Sequence, residues 1–453
     1  MRVCVWRAEF IHGGPAAAWS PYIINFTVRC AMTNYDRKLS KPTSRGALSL
    51  LATAATGALL CSGMAMAGTL EQAKRMHDRL AGVPPTESVL LAMKAELDAG
   101  DAMAAAEIAM ENDSFYNETI KNWAAPWTNR EQNVFVPLND YTATVIGFVR
   151  DELDFRELLY ADIIYVGDGI TPSYSNSSNA HYQAMEDAGV SLKDTLDRSL
   201  QSEVTGLPAE ATSGVVTSRA ASKAFLIAGT NRAAFRFTLM NHMCMDLEQV
   251  HDITRVPDRI RQDVSRSPGG DARVFLNGCM GCHAGMDPMA QGLAYYNYEY
   301  DPENDLTGEN GQLVYNSEGD IDPETGTRVQ AKYHFNSATF PYGFVTPDDK
   351  WDNYWREGVN KSLGWDTSLP GSGNGAKTMM MEMAHSQAFA QCQVKKVFKT
   401  VCLRDPDADY GIDGADGNPN DQATLNSWVT DFAANGYNIK RVFAQAADYC
   451  KGN

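Results

Sequence analysis

A mainly α, multi-helix globular protein with irregular, partly β loops is what this sequence predicts. Three observations carry that expectation. Apolar residues recur at three- and four-residue spacing through much of 68–265 and 351–453, the period of helices that bury one face. Gly, Asp, Asn, Pro and Thr concentrate instead in 301–345, where only short β-like pieces fit. With 453 residues, 44% of them apolar and 21% charged, the chain holds enough apolar material for two or three cored domains and is not disordered.

From the N-terminus, residues 1–67 read as an over-extended start followed by a secretory signal. After Met32 come a basic n-region (Arg37, Lys38, Lys41, Arg45) and an apolar stretch over 47–60. Ala65-Met66-Ala67 follows as a small-x-small pattern that places cleavage after Ala67. Thr53, Thr56 and Gly57 interrupt the apolar stretch, which is too short for a membrane span of about 20 residues. Leu60 before Cys61 is larger than a lipid-attachment site wants. No later stretch is long and apolar enough to span a bilayer, and with the signal the expected product is a periplasmic or otherwise exported bacterial protein.

In 68–112, Leu70, Ala73, Met76 and Leu80 keep helical spacing, Pro84-Pro85 breaks the run, and a second helical stretch resumes, which reads as a helical hairpin. Trp123 and Trp127 read as core, and 138–165 as two helices. Helices are also expected over 194–202, 218–247, 351–357, 378–402, 424–433 and 440–450, with a turn or short strand at 212–217. Asp271 is placed to cap a short helix leading to Cys279, and Met286-Asp287-Pro288 to turn the chain. Asp405, Asp407 and Asp409 start like a calcium loop, but Tyr410 stands where Gly is needed and Asp416 where Glu is, so the stretch reads as a solvated loop.

Cys279-Met280-Gly281-Cys282-His283 is the one chemically specific pattern. Cys-x-x-Cys-His is the spacing at which two thiols add across the vinyl groups of a haem while the adjoining imidazole becomes the proximal iron ligand. A redox dithiol of this spacing wants a strand before it, and a zinc site wants a second ligand pair at regular spacing. Neither stands in the sequence. The fold class therefore gains a cytochrome-c-like haem segment, with domains at 68–265 (helical), 266–350 (c-haem) and 351–453 (helical, packing on the haem segment). One covalent haem c is expected per chain.

After signal removal six of the nine cysteines remain, and two go to haem. Cys244, Cys392, Cys402 and Cys450 permit two disulfides in three pairings, in keeping with export; four buried thiols are the alternative. The leader carries seven Lys/Arg against two Asp/Glu, so the net charge of −17 becomes about −22 on the rest of the chain. That balance disfavours nucleic acid and suits a basic redox partner, or simply keeps the protein soluble.

With Cys279 to His283, the following Met286-Asp287-Pro288 and the tyrosines of 295–300 ending at Asp301, the chain resembles the planctomycete-type c-haem proteins of unknown function. The likeness extends over about 115–404, with Cys392 closing a C-terminal helix, and lacks the separate N-terminal cytochrome module of longer relatives. It implies export, haem and a mostly helical fold, and no particular chemistry.

The sixth iron ligand separates the functions on offer. A His/Met or His/His iron carries electrons, whereas an open position admits peroxide or another small molecule. His334, Met380 (within Met379-Met380-Met381), His242, Met243 and His181 are the candidates. Arg232 and Arg236, one helical turn apart, are placed to face the haem propionates or, in an enzyme, a developing oxyanion. The tyrosines of 295–300 are placed to wall the porphyrin. The leading expectation is an exported monohaem c-type cytochrome carrying single electrons. Its alternatives are a peroxidase-like haem enzyme and a binding or scaffolding module with an accessory haem.

Overall fold

The N-terminal three helices show why this chain breaks where it does. Helix α1 (Thr69–Ala81) buries Ala73, Met76 and Leu80 and stops at Gly82, whose left-handed φ of 73° only glycine adopts without strain. Thr86 starts α2 (Glu87–Asp98) by accepting the Val89 N–H. Asp101 likewise caps α3 (Ala102–Met110). The expected hairpin is thus three helices, because the Gly100-Asp101 pair both ends one and begins the next. This is a computed structural model; it describes residues 68–227, 231–259, 272–334, 343–406 and 419–452. The leader, the Asp271 cap and the calcium-like loop beyond Pro406 lie outside the described residues.

A π-helical turn (Phe115–Ile120) continues into α4 (Lys121–Ala124), and α5 (Asp140–Arg150) runs buried through the core. A 3-10 turn, Phe155–Leu159, replaces the second helix expected in 138–165. Strand β1 (Ile164–Gly167) precedes α6 (Ala180–Ala188) and α7 (Leu192–Thr195), and β2 (Leu196–Ser199) pairs back on β1, antiparallel, with Ile164 opposite Ser199. The helix expected over 194–202 is therefore corrected to α7, β2 and the short α8 (Gln201–Thr205): the long-range pairing with β1 overrides local helical spacing. Residues 214–217 form a 3-10 turn.

The single helix expected over 218–247 is two, α9 (Arg219–Phe225) and α10 (Arg232–Met243). Remote groups hold the start of each helix. The buried Asp140 carboxylate accepts the N–H groups of Arg219 and Ala220. Asn231, left-handed at φ 58°, donates its side-chain amide to the carbonyls of Leu293 and Tyr296. Helices α11 (Ala272–Gly278) and α12 (Met280–Ala290) follow. Met286-Asp287-Pro288, expected to turn the chain, lies inside α12; Pro288 is two residues from its end, where one missing N–H is tolerated.

Strands β3 (Tyr296–Glu299) and β4 (Gln312–Tyr315) form the hairpin anticipated in the irregular region. Trp351, expected in a helix, stands in β5 (Lys350–Asp352), which pairs with β6 (Ser372–Asn374); only Tyr354–Arg356 makes a 3-10 turn. The helix expected over 378–402 is likewise two, α13 (Gly375–Ala384) and α14 (Gln387–Cys402), because extended Ser386 caps α14 through the Phe389 N–H. Helices α15 (Pro419–Ala434) and α16 (Ile439–Cys450) close the described chain.

The described residues belong to one unit, Ala65–Asn453, and a single apolar cluster runs from Ala73 through Met286 and Trp355 to Ala447, so all three sequence segments share a core. Trp123 packs edge-on against Trp127 at 4.6 Å and Phe443 at 5.3 Å within it. Of the three cysteine pairings, the fold selects Cys244 with Cys392 and Cys402 with Cys450, at Cα separations of 5.3 and 5.5 Å. No helix among the described residues is long and apolar enough to cross a membrane.

Candidate haem-attachment site

Cys279 stands at the N-cap of α12, and its carbonyl accepts the N–H groups of Cys282 and His283, each at 3.2 Å. One backbone oxygen thus gathers both thiols and the imidazole onto a single helical turn. Neither thiol is bridged, and both are half-buried, whereas the other four described cysteines are paired. The Cys282 thiol donates to the Leu247 carbonyl at 3.3 Å. Burial pushes this thiol up, with Cys279, Glu248 and Asp246 adding to the effect. A redox cysteine is activated the other way, toward thiolate.

The turn is held by close backbone approaches that require glycine. The Gly281 carbonyl accepts the Asp252 N–H at 2.9 Å, and the His251 ring lies 2.2 Å from where a Cβ on Gly281 would stand. On the core side, Trp355 Nε1 lies 1.8 Å from the Cβ position of Gly285, so the indole is pressed onto the α12 backbone.

His283 points Nδ1 at both carboxylate oxygens of Asp287, 3.1 Å each, one turn further along α12. The Asp287 side chain is 0% exposed and its Oδ1 also accepts from Arg232 Nε at 3.2 Å. Arg232, Asp287 and His283 form a continuous polar chain from α10 into α12. With Nδ1 turned to a carboxylate, Nε2 is the ring nitrogen that would be left to meet a metal, as where partner groups orient metal-bound histidines. Arg236, the other arginine singled out in the sequence, makes a forked pair with Asp246, 2.7 Å at Nε and 2.5 Å at Nη2. That hydrogen bond holds the Asp246 carboxyl below its ordinary range. Each arginine thus meets its own carboxylate beside the motif.

The sixth-ligand candidates are engaged elsewhere. His242 is fully buried, with Nε2 2.6 Å from the Tyr141 hydroxyl and its ring stacked toward Tyr141 and Phe389. Met243 and Met380 are core side chains. His334 bonds the Thr346 carbonyl through Nε2 at 3.2 Å, and His181 accepts the Gly167 N–H. Of the tyrosines expected to wall the porphyrin, Tyr296 and Tyr298 stand in β3, Tyr296 donating to the Ala211 carbonyl and Tyr298 to that of Gly308. The sequence assigns no site role to Asp287, Asp246, His251 or Trp355; for Asp287 the His-x-x-x-Asp spacing of 283 and 287 is the available signal.

Two unbridged thiols and an imidazole held at Nδ1 fit an attached haem, whose porphyrin itself supplies four of the iron's ligands. Among the described residues, no group of three or more His, Cys, Asp or Glu side chains is placed to hold a metal ion by itself. Comparison with protein-family models, curated proteins and solved structures finds no match to this chain.

Proposed function

We propose that this protein is an exported monohaem c-type cytochrome of the planctomycete-type c-haem class, carrying single electrons. Haem c is held by thioethers at Cys279 and Cys282, each formed as a thiol S–H adds across a vinyl group, with His283 as proximal ligand. The observation that carries the reading is the pair of unbridged thiols sharing one helical turn with an imidazole whose Nδ1 is held by Asp287. Cysteine pairs at disulfide distance are compatible with an oxidising, extracytoplasmic setting. The acidic balance of the chain suits a basic redox partner.

When bound, the haem supplies a one-electron iron couple. The chain's own residues anchor it, orient the imidazole and cover the α12 face with Trp355. One observation favours a second reading, a peroxidase-like enzyme with an open distal position: a carboxylate on the proximal imidazole is the kind of outer partner that raises ligand basicity. The ferric spectrum separates the two. A low-spin spectrum unchanged by cyanide or peroxide supports electron transfer, and a high-spin spectrum that shifts with either supports the enzyme.

A further inference from the structure

We propose that Asp287, steadied by Arg232, is a positioning residue that fixes the His283 imidazole and lowers the reduction potential of the haem. The inference rests on the haem reading above and gives Asp287 a role that acts through His283. Residues 283 and 287 are one helical turn apart, so the backbone of α12 brings the two side chains together without help from any loop. Both carboxylate oxygens lie at the same 3.1 Å from Nδ1, a symmetric approach that restrains the imidazole about its long axis.

A plainer role for Asp287 would be to neutralise Arg232. The exposures speak for more than that. Arg232 is 23% exposed at its side chain and reaches water, whereas Asp287 is 0% exposed. A carboxylate so buried costs free energy unless its partners repay it, and His283 and Arg232 are both on it. Its charge acts on the ring through a medium that screens poorly. A hydrogen-bonded carboxylate raises the basicity of the imidazole, and the more basic ligand favours ferric over ferrous iron. Arg232 draws on the same Oδ1 and so moderates the effect. The two side chains therefore push the couple in opposite directions.

The test is a mediated spectroelectrochemical titration of the full exported chain, in which Fe(III) takes one electron from the electrode to give Fe(II). Wild type, Asp287→Asn, Asp287→Glu and Arg232→Gln are compared after covalent haem has been confirmed by mass. Asp287→Asn is expected to shift the ferrous-to-ferric ratio at fixed potential at least about tenfold toward ferrous, equivalent to about 59 mV upward for a one-electron couple. Asp287→Glu should restore part of the shift, and Arg232→Gln should move the ratio the opposite way. A haem-loaded Asp287→Asn protein within about threefold of wild type overturns the inference. Should that variant fail to mature, an Arg232→Gln protein with an unchanged ratio overturns it equally. A wild-type chain without covalent haem is the separate result that removes the parent reading, and this inference with it.

Discussion

At the scale of single residues, His242 is the side chain whose chemistry diverges most from its sequence promise. It was a ligand candidate on the arginine-bearing helix, and the fold buries it against Tyr141, Trp127 and Phe389. Desolvation, reinforced by the nearby Lys396, pushes its pKa well below the ordinary histidine value of 6.5. The folded protein therefore resists protonation that the unfolded chain accepts. Its contribution to stability is present above about pH 6.5 and is lost as pH falls below it. The thermal midpoint should decline between pH 7 and pH 5, and His242→Gln should flatten that decline; equal slopes in the two proteins would remove His242 as the cause. Cys279, Cys282 and His283 stand out in the sequence because the haem proposal rests on their order and spacing alone. Asp287 does not, because Pro288 beside it signals a turn and masks the one-turn helical spacing between Asp287 and His283.

At the scale of elements, helices with one apolar stripe were readable, and their interruptions were not. The start of α9 is held by Asp140 and the start of α10, at Asn231, by the carbonyls of Leu293 and Tyr296, groups distant in sequence from the residues they hold. Strands of three or four residues carry too little periodicity to be told from helix, so β2 and β5 were hidden by helical spacing around them. The α13–α14 break had a local signal in Ser386, whose hydroxyl accepts the Phe389 N–H at 3.2 Å. Ser386→Ala should cost about 1 kcal/mol in a denaturant titration. A loss near zero would mean that packing of Phe389, rather than the cap, sets the start of α14. The same logic links element to site. Asn353 caps Trp355, and Glu382 of α13 holds Asn353 and the Arg356 guanidinium, so the indole pressed on Gly285 is anchored from the C-terminal helices.

Across the whole molecule, residues from all three sequence segments share one core, and the cysteine pairs tie distant parts of it together. Cys244 at the end of α10 pairs with Cys392 of α14 across 148 residues, fixing the helix that carries Arg232 and Arg236 to the C-terminal region. Cys402 pairs with Cys450 across 48 residues, joining α14 to α16. Restricting the unfolded chain in this way stabilises by about 2–5 kcal/mol per bridge. Replacing Cys402 and Cys450 together by Ser should lower the denaturation midpoint accordingly, and added reductant should then change that variant less than wild type. A double variant as stable as wild type would mean that the two thiols are not bridged. That a bridged pairing existed was legible from the even cysteine count; which pairing was not, because it depends on how α10, α14 and α16 pack.

The central claim is that Cys279, Cys282 and His283 hold a haem. It is tested most directly by the intact mass and alkaline pyridine absorption spectrum of the chain exported from a bacterium that assembles c-type cytochromes. One covalent haem per chain is expected, joined by two thioethers and absent from the Cys279→Ser/Cys282→Ser variant. A colourless chain whose mass leaves Cys279 and Cys282 as free thiols, or as a disulfide, would contradict it.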